Sequence, residues 1–405
     1  MYQKYILPNG LKIIHNRTDG CAASCGVILN VGSRDEREGE YGIAHFIEHV
    51  IFKGTNRRKA YHILSRMEDV GGELNAFTTK EDTCIYSNFL AKDYGRALEL
   101  LSDIVFGSVF PDKEILKEKE VVADEINSYK DLPGDLIFDE FEEMVYEGYP
   151  MGRNILGTEE QVRAISRETI MDFVGKYYIP GNIVIASVGN IDFDELVVLA
   201  DKYFGSVPGG ILQSRRIKPV DYKPVYREVE KNTNQVYCVM GNLAYDYTDE
   251  KRLPLSILTG LLGGATMNSR LNLSIREKYG LVYSIEAAYT PYSDTGIFSV
   301  YFDCDPGDFN RCFSLCNKEL KRMCEQPLRK LQLQKILKQT VNQMLIGFEN
   351  KENLMLSIGK SYLIYDEVDE PEEVFEKIYN IDAATMSEVA QEVFSIDDMS
   401  VIVYK

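Results

Sequence analysis

The order in which secondary-structure signals recur restrains the fold of this chain more than any single motif. The stretch "YILPNGLKIIH" reads as a hairpin turning at Asn9-Gly10. A strand over 22–31 follows, then the apolar stretch "GIAHFIEHVIF", then a helix over 60–70 stopped by Gly71-Gly72. Strands over 74–79 and 84–90 lead into helices over 92–106 and about 112–129, and further helices are expected within 134–178, where Thr158 with Gln161 forms a capping box. The strand "NIVIASVGN" and the helix "FDELVVLADKYFG" close this half. After "SVPGGILQSRRIKPVDYKP", rich in Gly, Pro and charge as linkers are, the order begins again. "QVYCVMG" is a strand, "EKRLPLSILTGLL" and "NSRLNLSIREKYG" are helices, "LVYSIEAAY" and "GIFSVYFDC" are strands, and a helical series ends in the strand "MSVIVYK". The expectation is an α+β chain of two similar α/β-sandwich halves, related by internal duplication at a period of about 200 residues. The expected boundaries are a first domain over 1–208, a linker over 209–226 and a second domain over 227–405.

The two halves differ in chemistry. All four histidines, His15, His45, His49 and His62, fall in the first, so a site built on imidazole can occur only there. The charge balance, 63 acidic against 45 basic residues, gives −18 and argues against nucleic acid and against an anionic membrane surface. A basic or neutral partner fits better. No apolar run reaches the roughly 18–20 residues that span a bilayer, and "MYQKYILPNGLKII" carries no leader pattern, so the expected location is the cytoplasm. Eight cysteines without a CxxC pair read as reduced thiols, mostly core filler. Cys312, Cys316 and Cys324 lack the close spacing of thiolate metal sites.

"GIAHFIEHVIF" sets His45, Glu48 and His49 at i, i+3 and i+4, on one face if the stretch is helical, among residues that are otherwise apolar. Buried without partners, such groups cost several kcal/mol, roughly 2 to 7 for a neutral polar group. Two imidazoles one turn apart are two ligands for a tetrahedral zinc, and the carboxylate beside them is placed to act as a base on water. H-x-x-E-H is the inverzincin signature. A third ligand must come from another helix, and "DKEILKEKEVVADEINSYK" offers Glu118 and Glu125, seven residues apart and so nearly on one face. Taken alone, each could equally be an acid on a solvated helix. His15 and His62 lack any such setting and read as ordinary surface residues.

H-F-I-E-H followed by a glutamate 76 residues after His49 resembles the pitrilysin and insulinase family of zinc metallopeptidases, most closely its half-length members related to the mitochondrial processing peptidase. The resemblance runs from "LPNGLKII" to the last strand. It implies one zinc per chain, held by His45, His49 and Glu125, with Glu48 as general base and Glu118 as a supporting acid. It also implies that Asn75 and Ala76 of "GGELNAFTTKEDTCIYS" hold substrate backbone on an edge strand. In "SRLNLSIREKYGLVYS" it implies that Arg276 and Tyr283 reach the substrate carbonyl. The implied activity is hydrolysis of peptides or unfolded segments by a clamshell dimer, of two copies or of this chain with a related one. The alternative is a structural subunit of the same fold that has lost catalysis, which the intact ligand set disfavours.

Overall fold

The computed structural model describes residues 1–210, 212 and 216–405; residues 211 and 213–215 of the expected linker lie outside the described residues. Among the described residues eleven strands form two sheets. The first contains β1 (Gln3–Ile6), β2 (Lys12–Arg17), β3 (Ala22–Leu29), β4 (Glu73–Thr78), β5 (Thr83–Leu90) and β6 (Ile183–Gly189), in the order β1-β2-β6-β3-β5-β4. The second contains β7 (Tyr226–Val229), β8 (Val236–Ala244), β9 (Val282–Pro291), β10 (Gly296–Cys304) and β11 (Ser400–Tyr404), in the order β7-β11-β8-β10-β9. Leave out β1 and the two orders are the same. In each, the first strand runs parallel to the last, the last pairs antiparallel with the second, and a hairpin extends the sheet beyond it. The duplicated α+β architecture read from the sequence is therefore present, strand for strand.

The central strands explain the arrangement of the helices. Every residue of β6 and of β10 is buried, so both faces of each sheet need an apolar cover. In the first sheet one face packs on helices from residues 43–130 and 159–204. The other is covered by the helix Lys351–Tyr365, whose Leu354, Met355, Ile358 and Tyr362 join Ile14, Ile28, Val184 and Ala186 in one cluster. This helix lies so close that a Cβ added at Gly359 would sit 2.3 Å from Ile28 Cδ1 and 2.6 Å from Ala186 Cβ. In the second sheet the helix Pro133–Val145 plays that part, packing Ile137, Phe141 and Val145 with Val239, Tyr301 and Ile402.

The compact units are consequently interleaved in sequence. One comprises Met1–Ile126, Asn154–Arg216 and Leu345–Glu370; the other comprises Asn127–Arg153, Ile217–Met344 and Pro371–Lys405. The expected contiguous division at 1–208 and 227–405 is corrected on this point, because each half of the sequence supplies the helix that covers the second face of the other's sheet. The strand β7 also begins inside the expected linker. Among the described residues no helix is long and apolar enough to cross a membrane.

His15 corrects a second expectation. It is fully buried in β2, with Nδ1 3.1 Å from the Ser187 hydroxyl and its ring stacked on Phe193, while His62 is exposed as expected. Burial lowers the His15 pKa from 6.5 to about 4, against weaker opposing contributions from the Ile191 and Ser187 backbone. Between those values the unfolded chain binds a proton that the native chain does not, so stability falls as pH falls from 6.5 toward 4. The contribution of this one group reaches about 2 kcal/mol by pH 5. In urea unfolding compared at pH 7.5 and pH 5, His15→Phe should lose about 2 kcal/mol less than the parent. Identical losses would show that His15 does not carry this part of the acid sensitivity.

Candidate metal centre

The helix Ile43–Val50 begins at Gly42, whose φ of +87° favours glycine and whose added Cβ would meet the Leu156 carbonyl oxygen at 2.5 Å. The buried carboxylate of Glu36 accepts the N–H groups of Gly42 (2.9 Å) and Ala44 (3.0 Å). Donors otherwise orphaned at this helix start are thereby satisfied, with a negative charge at its positive end. Ile43, Phe46, Ile47 and Val50 sink into the core. The polar face carries His45 and His49, whose ring centroids are 4.7 Å apart.

The helix Asp112–Lys130 brings both candidate acids to this face, and the two meet different atoms. Glu125 Oε1 is 3.7 Å from His45 Nε2 and its Oε2 is 3.3 Å from His49 Nε2, whereas Glu118 Oε2 lies 3.5 Å from His49 Nδ1. Ligand atoms of His45, His49 and Glu125 all lie within 4.8 Å of one another. Bonds of about 2.1 Å at tetrahedral angles set zinc ligands about 3.4 Å apart. The two histidine–glutamate separations already match that spacing, and the donor set of two nitrogens and one oxygen suits zinc. The residues present therefore fit the ion.

Electrostatics agree with this geometry. Burial, and then the neighbouring His49, lower the His45 pKa to about 4, so at neutral pH the imidazole is unprotonated, as a ligand must be. Its Nδ1 is buried without a hydrogen-bond partner among the described residues. Burial raises the Glu48 carboxyl above its usual range, and Glu125 pushes the same way, while Thr78 and His49 oppose the shift. Glu48 thus stands beside the ligands as a base with enhanced proton affinity.

A residue outside the sequence reading completes the group. Lys53 Nζ sits 2.8 Å from Glu118 Oε1, holding an almost buried carboxylate against His49. The signal was available, since Lys53 continues the i, i+4 spacing of His45 and His49.

Asn75 and Ala76 lie on β4, which is an edge strand of its sheet. The Asn75 side chain accepts the Ala76 N–H at 2.9 Å, so the donor is tied up locally rather than in a ladder. Arg276 and Tyr283 belong to the other compact unit. The expected helix around Arg276 contains a π-helical segment, Asn272–Glu277, and Arg276 is exposed on it. Such wide turns occur frequently at functional sites. Tyr283 is the second residue of β9, half exposed, and its hydroxyl donates to Asp305 Oδ1 at 3.0 Å, a bond that raises the phenol pKa.

Comparison with known proteins accounts for the whole chain. A family model described as "Insulinase (Peptidase family M16)" matches residues 12–159, and one described as "Peptidase M16 inactive domain" matches residues 164–340. The His45, Glu48, His49 and Glu125 positions fall in the first match, and Arg276 and Tyr283 in the second. A Rickettsia bellii protein named as an uncharacterized zinc protease is 33% identical over 398 residues, covering 98% of this chain and 96% of its own. One of the same description from Streptomyces coelicolor is 32% identical over 397 residues, covering 96% and 86%. A crystal structure of a protease from Helicobacter pylori superposes with a TM-score of 0.92 at 20% identity, over 100% of this chain and 99% of that one, which establishes the shared fold. The chain belongs to the insulinase family of peptidases, family M16.

Proposed function

We propose that the chain is a zinc-dependent endopeptidase acting on peptides or unfolded segments, with one zinc per chain. The observation that carries this reading is the convergence of His45, His49 and Glu125 within 4.8 Å, beside a Glu48 whose carboxyl is raised. Bound there, zinc would supply Lewis acidity toward water and the peptide carbonyl. His45 and His49 would hold it through Nε2 and Glu125 through a carboxylate oxygen. The proton of His49 would then sit on Nδ1, facing Glu118, and Lys53 fixes Glu118 in turn. Glu48 takes the proton of the attacking water and delivers it to the leaving amine. A substrate in extended form would add to the free edge of β4 and displace the Asn75 side chain from the Ala76 N–H. Such binding reads backbone first, which suits unfolded substrates. Arg276 and Tyr283 are donors for the developing oxyanion. The second half matches a model named for an inactive domain, but every metal-ligating and proton-transferring candidate lies in the first.

These assignments separate by experiment. Glu48→Gln should keep about one zinc per chain by metal analysis and lose roughly 10²- to 10⁴-fold in peptide hydrolysis, since it moves protons without ligating. His49→Ala should lose both. Full activity in Glu48→Gln would remove the general-base assignment.

Lys53→Met should weaken zinc affinity about tenfold, measured by chelator competition, with unchanged far-ultraviolet circular dichroism; Lys53→Arg should restore it. Unaltered affinity in Lys53→Met would show that Glu118 orients His49 unaided.

We further propose that two copies pair and that each site is completed in trans, as the family resemblance implies, the metal residues and the Arg276/Tyr283 pair lying in different compact units of each chain. Glu48→Gln can be mixed with a chain carrying Arg276→Ala and Tyr283→Phe, each inactive alone, and the subunits allowed to exchange. About half the dimers become mixed, each with one site bearing every lesion and one bearing none, so about a quarter of parental sites should return under random twofold pairing. In a cis arrangement each site of the mixed dimer keeps a lesion. No recovery after verified exchange would rule out pairing in trans.

A further inference from the structure

The duplication places a cavity of the second unit at the position that the metal centre occupies in the first. In the first unit the site lies between the first helix after β3, Ile43–Val50, and the second long helix after the β4–β5 hairpin, Asp112–Lys130. In the second unit the corresponding pair is Arg252–Gly263, after β8, and Lys330–Phe348, the second long helix after the β9–β10 hairpin. Those two helices, with the loop 264–270, wall a cavity of about 550 Å³ that lies wholly within this unit. That volume falls in the range of small-molecule sites, roughly 300–1,000 Å³.

Three features mark the cavity as a site and not a packing defect. Among the described residues none that lines it is acidic, in a chain of net charge −18, yet Arg270 and Lys335 both line it. Among the described residues neither cation has an ion pair or hydrogen bond, and Arg270 Nη1 is buried with no hydrogen-bond partner. Burial pulls the Arg270 guanidinium below its ordinary range, with Glu319 the opposing influence. The Glu319 carboxylate is itself engaged, 3.7 Å from Arg322. A buried guanidinium nitrogen lacking an acceptor is costly, and an anion supplies what it lacks. The second feature is Gly260, a helix-interior glycine on the cavity wall, where an added Cβ would meet nothing within 4 Å. Glycine there costs about 1 kcal/mol against alanine and keeps the space open. Third, the remaining walls are Ile257, Leu261, Leu328, Ile336 and Met344, which accept an apolar body and disfavour a compact hydrated anion such as phosphate.

We propose that this cavity binds an apolar chain ending in a carboxylate, with the carboxylate on Arg270, Lys335 at the entrance and the chain along the Gly260 face. Two sources share that chemistry, a medium-chain acyl acid and the free C-terminus of an apolar peptide. The proposal does not depend on zinc or on peptidase activity.

Isothermal titration of the full chain decides it, with octanoate and octanamide as one pair and acetyl-Leu-Leu and its C-terminal amide as the other. At least one acid should bind at least about tenfold more tightly than its amide, and the acid that does so identifies the source. Arg270→Gln should abolish that preference. Gly260→Leu, which fills the space without touching the cation, should abolish binding altogether. Absence of binding by both acids at millimolar concentration, equal binding of acid and amide to the parent protein, or binding undiminished in Gly260→Leu would each overturn the proposal.

Discussion

A sheet buried on both faces must be covered on both, and this requirement organises the chain. The full burial of β6 and β10 leaves no solvent-facing side on which polar residues could alternate. Four layers of helix are therefore needed for two sheets. The chain supplies two of them by exchange, Lys351–Tyr365 for the first sheet and Pro133–Val145 for the second. The glycine at 359 shows how tightly this is built, since any side chain there would lift the helix off Ile28 and Ala186. The exchange also means that residues 1–208 alone would leave Ile14, Ile28, Val184 and Ala186 of the first sheet without their cover.

With the scaffold set, the polar groups of the metal centre form one linked chain. His45 is kept neutral by burial, Glu48 has its proton affinity raised by burial, and Glu118 tolerates its near-complete burial because Lys53 stands 2.8 Å away. Removing a partner from such a buried ion pair leaves an uncompensated charge, which commonly costs about 3–5 kcal/mol. Here Lys53 keeps 30% of its side-chain surface in solvent, so the cost is discounted, and the effect falls on the orientation of Glu118 and His49.

What the sequence disclosed, it disclosed through local signals. The first hairpin, the Thr158–Gln161 capping box and the H-x-x-E-H spacing each lie within a few residues, and all three are present, although the hairpin turns at Pro8-Asn9, with the Gly10 N–H donating to the Leu7 carbonyl, one residue before the expected Asn9-Gly10. Glu118 and Glu125 were both visible, but spacing could not sort them, because seven residues return to the same face. What separates them is which imidazole nitrogen each meets. His15 was misjudged because its burial is made by Ser187 and Phe193, more than 170 positions away in sequence. The helix exchange was illegible for the same reason, since an amphipathic pattern states that a helix must be covered and not by which sheet. The exposed β7, with Tyr226, Arg227 and Glu228, has no apolar pattern at all and exists through its parallel pairing with β11.

The duplication gives these observations a common logic. One topology, used twice, creates the same space twice between the first helix after the second-placed strand and a nineteen-residue helix after the hairpin. In the first unit the helix turns His45, Glu48 and His49 into that space, and the facing helix answers with Glu118 and Glu125. In the second unit the corresponding helix presents Ser256 and Gly260, and the facing helix presents Lys335 and Gln339. Carboxylates facing imidazoles suit a cation, whereas an arginine with an unmet nitrogen and a wall without acids suits an anion. The fold supplies the facing helices in both cases, and the side chains on and beside them decide the sign of the charge that can be held between them.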